Sequence, residues 1–265
     1  MEKYDVIFGM GYACSCTQAL REAGLQHASF PFDWVGGRGI RFKAQLMADD
    51  FPKWFEPGTL TRMPDQKFSF HAFYRDIYDF TPIHDFNANV PLEEELPKVH
   101  AKYRRRIDRL ARLLDGAKRV LVVYIETLTS AKSDPADIPE ARSTLARRWP
   151  NVKFEFLLLR FGEGVPFAER AEETGDGWRL VTYDYKDRKE EEWRADWHQI
   201  GHWLKTQYAV VDYRTEAERE AWRQSRRHAD WARYHATSWT DYLMTKMRYK
   251  IYKHLRTVLS RKGVI

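Results

Sequence analysis

The stretch Val6-Ile7-Phe8-Gly9-Met10-Gly11-Tyr12-Ala13-Cys14-Ser15-Cys16 decides the fold. Three apolar residues in a row read as a short strand buried on both faces, and Gly9 to Cys16 reads as a tight turn. Cys14 to Leu25 then carries a helical pattern. Both cysteines of the chain therefore sit in the first turn of a helix, just past the carboxyl end of a strand. Unpaired backbone N–H groups and the positive end of the helix dipole gather there, so a thiolate is stabilised and the thiol pKa is expected to fall.

Working outward, Arg119 to Ile125 and Val152 to Leu159 are continuous apolar runs of the kind found in parallel sheets, and Leu180 to Tyr185 makes a further strand. Helical patterns fall between and beyond them, at Ile138 to Trp149 and Glu190 to Tyr208. Leu96 to Leu114 is amphipathic, with Val99, Tyr103, Ile107, Leu110 and Leu114 at three- and four-residue spacing, and stops near Gly116. Strand and helix alternate, which predicts an α/β fold with a mainly parallel sheet covered by helices on both faces, Rossmann-like or hydrolase-like. Ligands of such sheets bind beyond the carboxyl ends of the strands, where the Gly9 to Cys16 turn lies.

The remaining segments are less regular. Ser29 to Gly39 reads as a loop, Ile40 to Leu46 as a short helix, and Asp49 to Pro64 as a loop pinned to the core by Phe51, Trp54 and Phe55. Phe68 to Tyr74 and Tyr78 to Thr81 suggest a hairpin with His84-Asp85-Phe86 at its end.

The 265 residues carry a net charge of +6, unevenly placed. From Arg214 onward there are 13 Lys+Arg against 5 Asp+Glu, leaving 31 against 33 for the rest. The division expected is an α/β domain over residues 1–213 and a basic, aromatic-rich helical appendage over 214–265. The appendage fits a protein partner or an anionic membrane surface, because Lys246, Arg248, Lys250 and Lys253 interleave with Tyr and Leu. Nucleic acid is a poor fit, since no recognised motif accompanies the charge. No apolar run reaches the length of a membrane span, no signal-peptide core follows Met1, and two cysteines one residue apart suit free thiols in a reducing compartment. The expected location is the cytoplasm, with association at a membrane left open.

Several motifs together resemble a bacterial family of papain-like cysteine peptidases. They are Gly11-Tyr12-Ala13-Cys14-Ser15, Ala19-Leu20-Arg21, Gly24-Leu25, Pro31-Phe32-Asp33-Trp34, His84-Asp85-Phe86 and Lys102-Tyr103-Arg104-Arg105-Arg106-Ile107, in consistent order over the first 130 or so residues. The resemblance implies a Cys and His pair, here Cys14 and His84, with Asp33 as companion, and a setting of surface-polysaccharide and glycosyltransferase genes. A papain fold puts its cysteine on a long helix and its histidine on an antiparallel barrel, whereas this chain alternates strand and helix.

The chemistry of such a pair is acyl transfer by a thiolate, which needs a neighbouring base and an oxyanion site. His84 would be the base, with Asp33 or Asp85 orienting it. Cys14 and Cys16 as plain core residues, Asp33 as a loop cap and His84 as a structural histidine are the competing readings. Gly11, Tyr12, Ser15, Trp34, Arg105 and Glu126 are candidates for binding a small-molecule or glycan substrate, and Arg105 would suit an anionic one. An alternative function is glycan assembly, with a phosphorylated sugar or nucleotide sugar held at the turn without thiol chemistry. No cofactor is called for: Cys14 takes the place of the third glycine of a dinucleotide fingerprint. His198 and His202 share a helix face, but two ligands do not make a metal site.

Overall fold

The structure is a computed structural model, and it describes residues 1–64, 72–82, 84–87, 90–126, 134–186 and 196–221. The chain divides into two compact units, and the first, Met1–Pro64 with His71–Val211, carries the sheet.

That unit opens with β1 (Glu2–Tyr4), β2 (Val6–Gly9) and α1 (Cys14–Glu22). The apolar face of α1 is Cys16, Ala19, Leu20 and Ala23, spaced three and four apart. A Schellman turn ends it: the Gly24 N–H donates to the Arg21 carbonyl at 3.1 Å and the Leu25 N–H to that of Leu20 at 2.9 Å. Next come β3 (Val35–Gly36), α2 (Ile40–Ala48), β4 (Leu60–Arg62), β5 (Tyr74–Asp76), β6 (Thr81–Pro82) and the long α3 (Leu92–Gly116). The second half runs β7 (Arg119–Ile125), α4 (Asp137–Arg148), β8 (Lys153–Phe161), β9 (Ala171–Gly175), β10 (Trp178–Tyr183), α5 (Trp197–Gln207) and β11 (Tyr208–Val210).

The central sheet has five strands in the order β2-β7-β8-β10-β9, parallel except for β9 at the edge. Its parallel strands lie side by side in chain order. Register carries the residue alternation across the sheet, with Ile7 beside Leu121 and Leu121 beside Glu155. Leu121, Val123, Ile125, Leu157, Leu159 and Val181 face one way, into a core closed by Cys16, Ala19 and Leu20 of α1 and Ile200, Trp203 and Leu204 of α5. Val120, Val122, Phe154 and Phe156 alternate to the opposite face, and α2 and α4 pack against one another in the layer that covers it. The mixed α/β architecture with a mainly parallel sheet is as the sequence predicts.

Four differences are instructive. The hairpin expected around residues 68–86 is only partly formed: 65–71 lie outside the described residues, β5 pairs with β4, and β6 pairs with β3. The two arms still run side by side, since the Ala72 N–H donates to the Phe86 carbonyl at 2.9 Å. Strand β9 was not foreseen because all five of its residues are exposed and no apolar alternation marks it. Helix α3 begins four residues before Leu96, with Pro97 inside it, and Glu93, Glu94 and Glu95 in its first turn suit the dipole. The helix expected from Glu190 starts at Trp197, where the Asp196 side chain caps it by accepting from the Gln199 N–H at 3.0 Å; residues 190–195 lie outside the described residues.

Among the described residues no helix is long and apolar enough to cross a membrane. Of the second unit, residues 212–221 are described, and they start a helix at 216. A capping box sets that start: the Glu218 N–H donates to Thr215 Oγ1 at 3.2 Å and the Thr215 N–H to Glu218 Oε2 at 2.9 Å. The helices expected over 222–261 lie outside the described residues.

Candidate active site

The Gly9 to Cys16 turn is built on the carboxyl ends of β2 and β7. The Met10 N–H donates to the Val123 carbonyl at 2.8 Å and the Tyr12 N–H to that of Ile125 at 3.3 Å. The two cysteines then separate by helical phase. Cys16 points into the core: it is fully buried, and its sulfur lies 3.4 Å from the Val123 carbonyl. Burial pushes its thiol up to about 12, so the lowering expected of a thiol in this turn does not hold for Cys16. Cys14 faces outward and is half-buried.

Glycines occupy positions 9 and 11 because of Cys16. A Cβ on Gly11 would lie 2.3 Å from the Cys16 Cβ, and one on Gly9 would lie 2.9 Å from its sulfur. The half-fingerprint of glycines thus serves a close approach of thiol to backbone.

Opposite Cys14 stands His84, with its Nε2 3.6 Å from the cysteine sulfur, 70 residues away in sequence. Three tethers bring it there. The ladder of β3 with β6 pairs Val35 with Pro82 and so joins the loop after Asp33 to the turn holding His84. The Gly37 N–H donates to the Tyr12 carbonyl at 3.3 Å, tying the ladder to the turn that carries Cys14. Asp85 accepts hydrogen bonds from Lys102 Nζ and the Tyr103 hydroxyl, pinning the histidine's turn to α3. Burial, with the Asp85 carboxylate beside it, holds the Tyr103 hydroxyl well above its ordinary value, so it stays a proton donor.

The hydrogen bonds of the two candidate aspartates run to these other partners. Asp85 turns its carboxylate toward α3. Asp33 is completely buried, and its carboxylate accepts from Thr17 Oγ1 at 2.9 Å, the Phe30 N–H at 2.7 Å and Gln26 Nε2. Those bonds knot residues 26–33 onto α1. Burial still raises its carboxyl, against the pull of the Phe30 N–H, Arg21 and Arg106.

Trp34 leaves that knot with φ of +66°, a left-handed conformation uncommon for a bulky residue. Its ring meets His84 edge-on at 6.1 Å between centroids, and the Arg21 guanidinium covers it at 4.9 Å. Trp34 is thus placed beside the pair, and Tyr12 is half-buried. Ser15 is buried, and Gly11 is occupied by Cys16. Arg105 is exposed, with no hydrogen bond or ion pair to described residues; its neighbour Arg106 instead turns inward, donating to the Asp33 carbonyl at 3.3 Å and lying over the Tyr103 ring. Glu126 is buried at the end of β7, 3.7 Å from Arg160 Nε. His198 lies 3.7 Å from Glu22, and among the described residues no cluster of three or more metal-ligating side chains occurs.

One residue was missed by the sequence reading. Lys43 of α2 is fully buried beneath the turn and donates to the carbonyls of Met10, at 3.0 Å, and Gly11, at 2.9 Å. In the sequence it is one lysine of a short helix, and only its four-residue spacing from Met47 on the buried face hints that it points inward.

A family model described as "Putative papain-like cysteine peptidase (DUF1796)" matches residues 5–164. The chain belongs to this family. The matched region includes every element that positions Cys14 and His84, from β2 to β8. No curated protein matches the chain, and no solved structure does.

Proposed function

We propose that this member of the papain-like cysteine peptidase family is a thiol-dependent enzyme, a hydrolase or an acyl-type transferase, in which Cys14 is the nucleophile and His84 its base. The observation that carries the reading is the 3.6 Å approach of Cys14 Sγ to His84 Nε2 at the start of α1. His84 takes the thiol proton, and the sulfur attacks an acyl carbon, whose carbonyl electrons move to oxygen. The N–H groups of the first helical turn face the developing negative charge. The tetrahedral intermediate collapses to a thioester as the leaving group departs with the proton held by His84. Water, or an acceptor nucleophile, gives its proton to His84 and attacks the thioester, releasing product and restoring Cys14.

Acylation by p-nitrophenyl esters tests this. The wild-type chain is expected to release nitrophenolate in a burst of one equivalent, with acyl-Cys14 found by mass spectrometry, and His84→Ala to slow the burst by about 100-fold or more. Undiminished release by Cys14→Ala would refute the reading. Residues 214–265 are proposed as a basic helical appendage to this enzyme unit. Co-sedimentation of the full chain with anionic but not neutral vesicles would assign its charge to a membrane surface.

A further inference from the structure

We propose that Lys43 is the positioning residue of the nucleophile, its ammonium holding the Met10 and Gly11 carbonyls on the buried side of the turn that carries Cys14. The inference rests on the thiol reading above and adds a residue to it.

Lys43 has no exposed surface, and its Nζ is ringed by Phe32, Phe80 and Tyr124 at 5.4, 5.8 and 5.9 Å from their centroids. Among the described residues no carboxylate pairs with it. A buried ammonium without a counter-ion is costly, and a leucine or methionine would fill this aromatic surround at no such cost. The position therefore makes sense for what the amine bonds to, and that is the nucleophile turn. The titratable groups facing it are Cys16 from α1 and Tyr124 from β7, and burial brings the amine down to about 7.

The two bonds complete a lock. Both carbonyls of residues 10 and 11 end on Nζ, the Met10 and Tyr12 N–H groups end on β7, and the Tyr12 carbonyl is taken by Gly37. The Gly11 N–H is directed to the Cys16 sulfur. Gly11 lacks a Cβ, so its flanking peptides are the easiest in the turn to rotate, and rotation would swing a carbonyl oxygen toward the helix start. A carbonyl there repels a thiolate and an oxyanion where N–H groups should meet them. Lys43, from the carbonyl side, joins the Tyr12 N–H bond to β7 in opposing this rotation, and its positive charge lies under the same helix end.

The test is alkylation of Cys14 by iodoacetamide against pH in the full chain, wild type and Lys43→Met. The apparent thiol pKa in Lys43→Met is expected to rise by about one unit, with the rate at pH 7 falling about tenfold. A purely structural lysine would lower the melting temperature and leave that profile unchanged, and an unchanged profile in a folded variant overturns the proposal. Should Lys43→Met fail to fold, the wild-type chain still decides: the ¹⁵Nζ titration of Lys43, followed by NMR, is expected to move to lower pH when Cys14 is alkylated and its thiolate lost. An unmoved titration overturns the proposal. If wild-type Cys14 titrates as an ordinary thiol, the thiol reading falls; if it titrates low and Lys43→Met titrates identically, only the role of Lys43 falls.

Discussion

The two flanks of the Gly9 to Cys16 turn differ in nearly every property, although Cys14 and Cys16 are only two residues apart. On the inner flank Cys16 fills the space that Gly9 and Gly11 leave, and burial keeps its thiol protonated. On the outer flank Cys14 is half-buried and meets His84. A step of two residues turns a helix by about 200°, so one cysteine is committed to packing and the other is turned toward His84. The difference teaches that a helix-terminal position does not by itself activate a thiol; the direction of its side chain decides whether dipole or desolvation dominates.

The sharpest way to break this contrast is to exchange the fates of the two thiols. Cys14→Ala is expected to lower acyl transfer by about a thousandfold or more while the melting temperature stays within a few degrees. Cys16→Ala should leave the reactivity of Cys14 nearly unchanged and cost on the order of 1 kcal/mol of stability from the cavity left behind. Mass-resolved alkylation and thermal unfolding read both variants. The inner flank can be strained directly with Gly11→Ala, whose new methyl meets the Cys16 Cβ. Denaturant unfolding should show a loss of about 3 kcal/mol, in the range of overpacked cores.

The buried amine supplies a pH signature. The amine of Lys43 is held at about 7 in the folded chain, whereas in the unfolded chain it stays protonated to about 10.4. Between those values the unfolded state binds the extra proton, so this group makes stability rise with pH across the window and weakens it below. Wild type minus Lys43→Met, compared by denaturant titration from pH 7 to 10, should show a difference changing by about 1.4 kcal/mol per pH unit in favour of the wild type as pH rises. On the outer flank, Asp85→Asn removes the charge that Lys102 and Tyr103 meet. It should cost about 1–3 kcal/mol and loosen the turn of His84, slowing Cys14 alkylation severalfold, whereas Arg105→Ala, at an exposed site, should change neither measurement.

Much of this arrangement is legible in the sequence. The runs Arg119 to Ile125 and Val152 to Leu159 read as buried strands, and the glycine turn between strand and helix marks a candidate place for a nucleophile. What the sequence hides is direction. Asp33 and Asp85 each sit beside an aromatic residue in sequence, and the hydrogen bonds they accept hold loops to helices. Arg105 and Arg106 are neighbours, yet only Arg106 falls three residues after Tyr103 on the buried face of α3. Lys43 is concealed because lysine is among the residues least often buried, so composition argues for the outside face until the packing is seen. The ladder of β3 with β6, which delivers Trp34 to His84, is two residues long and leaves no periodic trace.

The pairing of Cys14 with His84 is the claim on which the account rests, and the rate of Cys14 alkylation against pH, with and without His84→Ala, tests it most directly. Cys16 is buried and protonated, so the wild-type chain can be used unaltered. The wild-type thiol is expected to titrate well below the ordinary value of about 8.5, and to return toward that value in His84→Ala. A Cys14 that titrates near 8.5 in both chains, or that ignores the loss of His84, would contradict it.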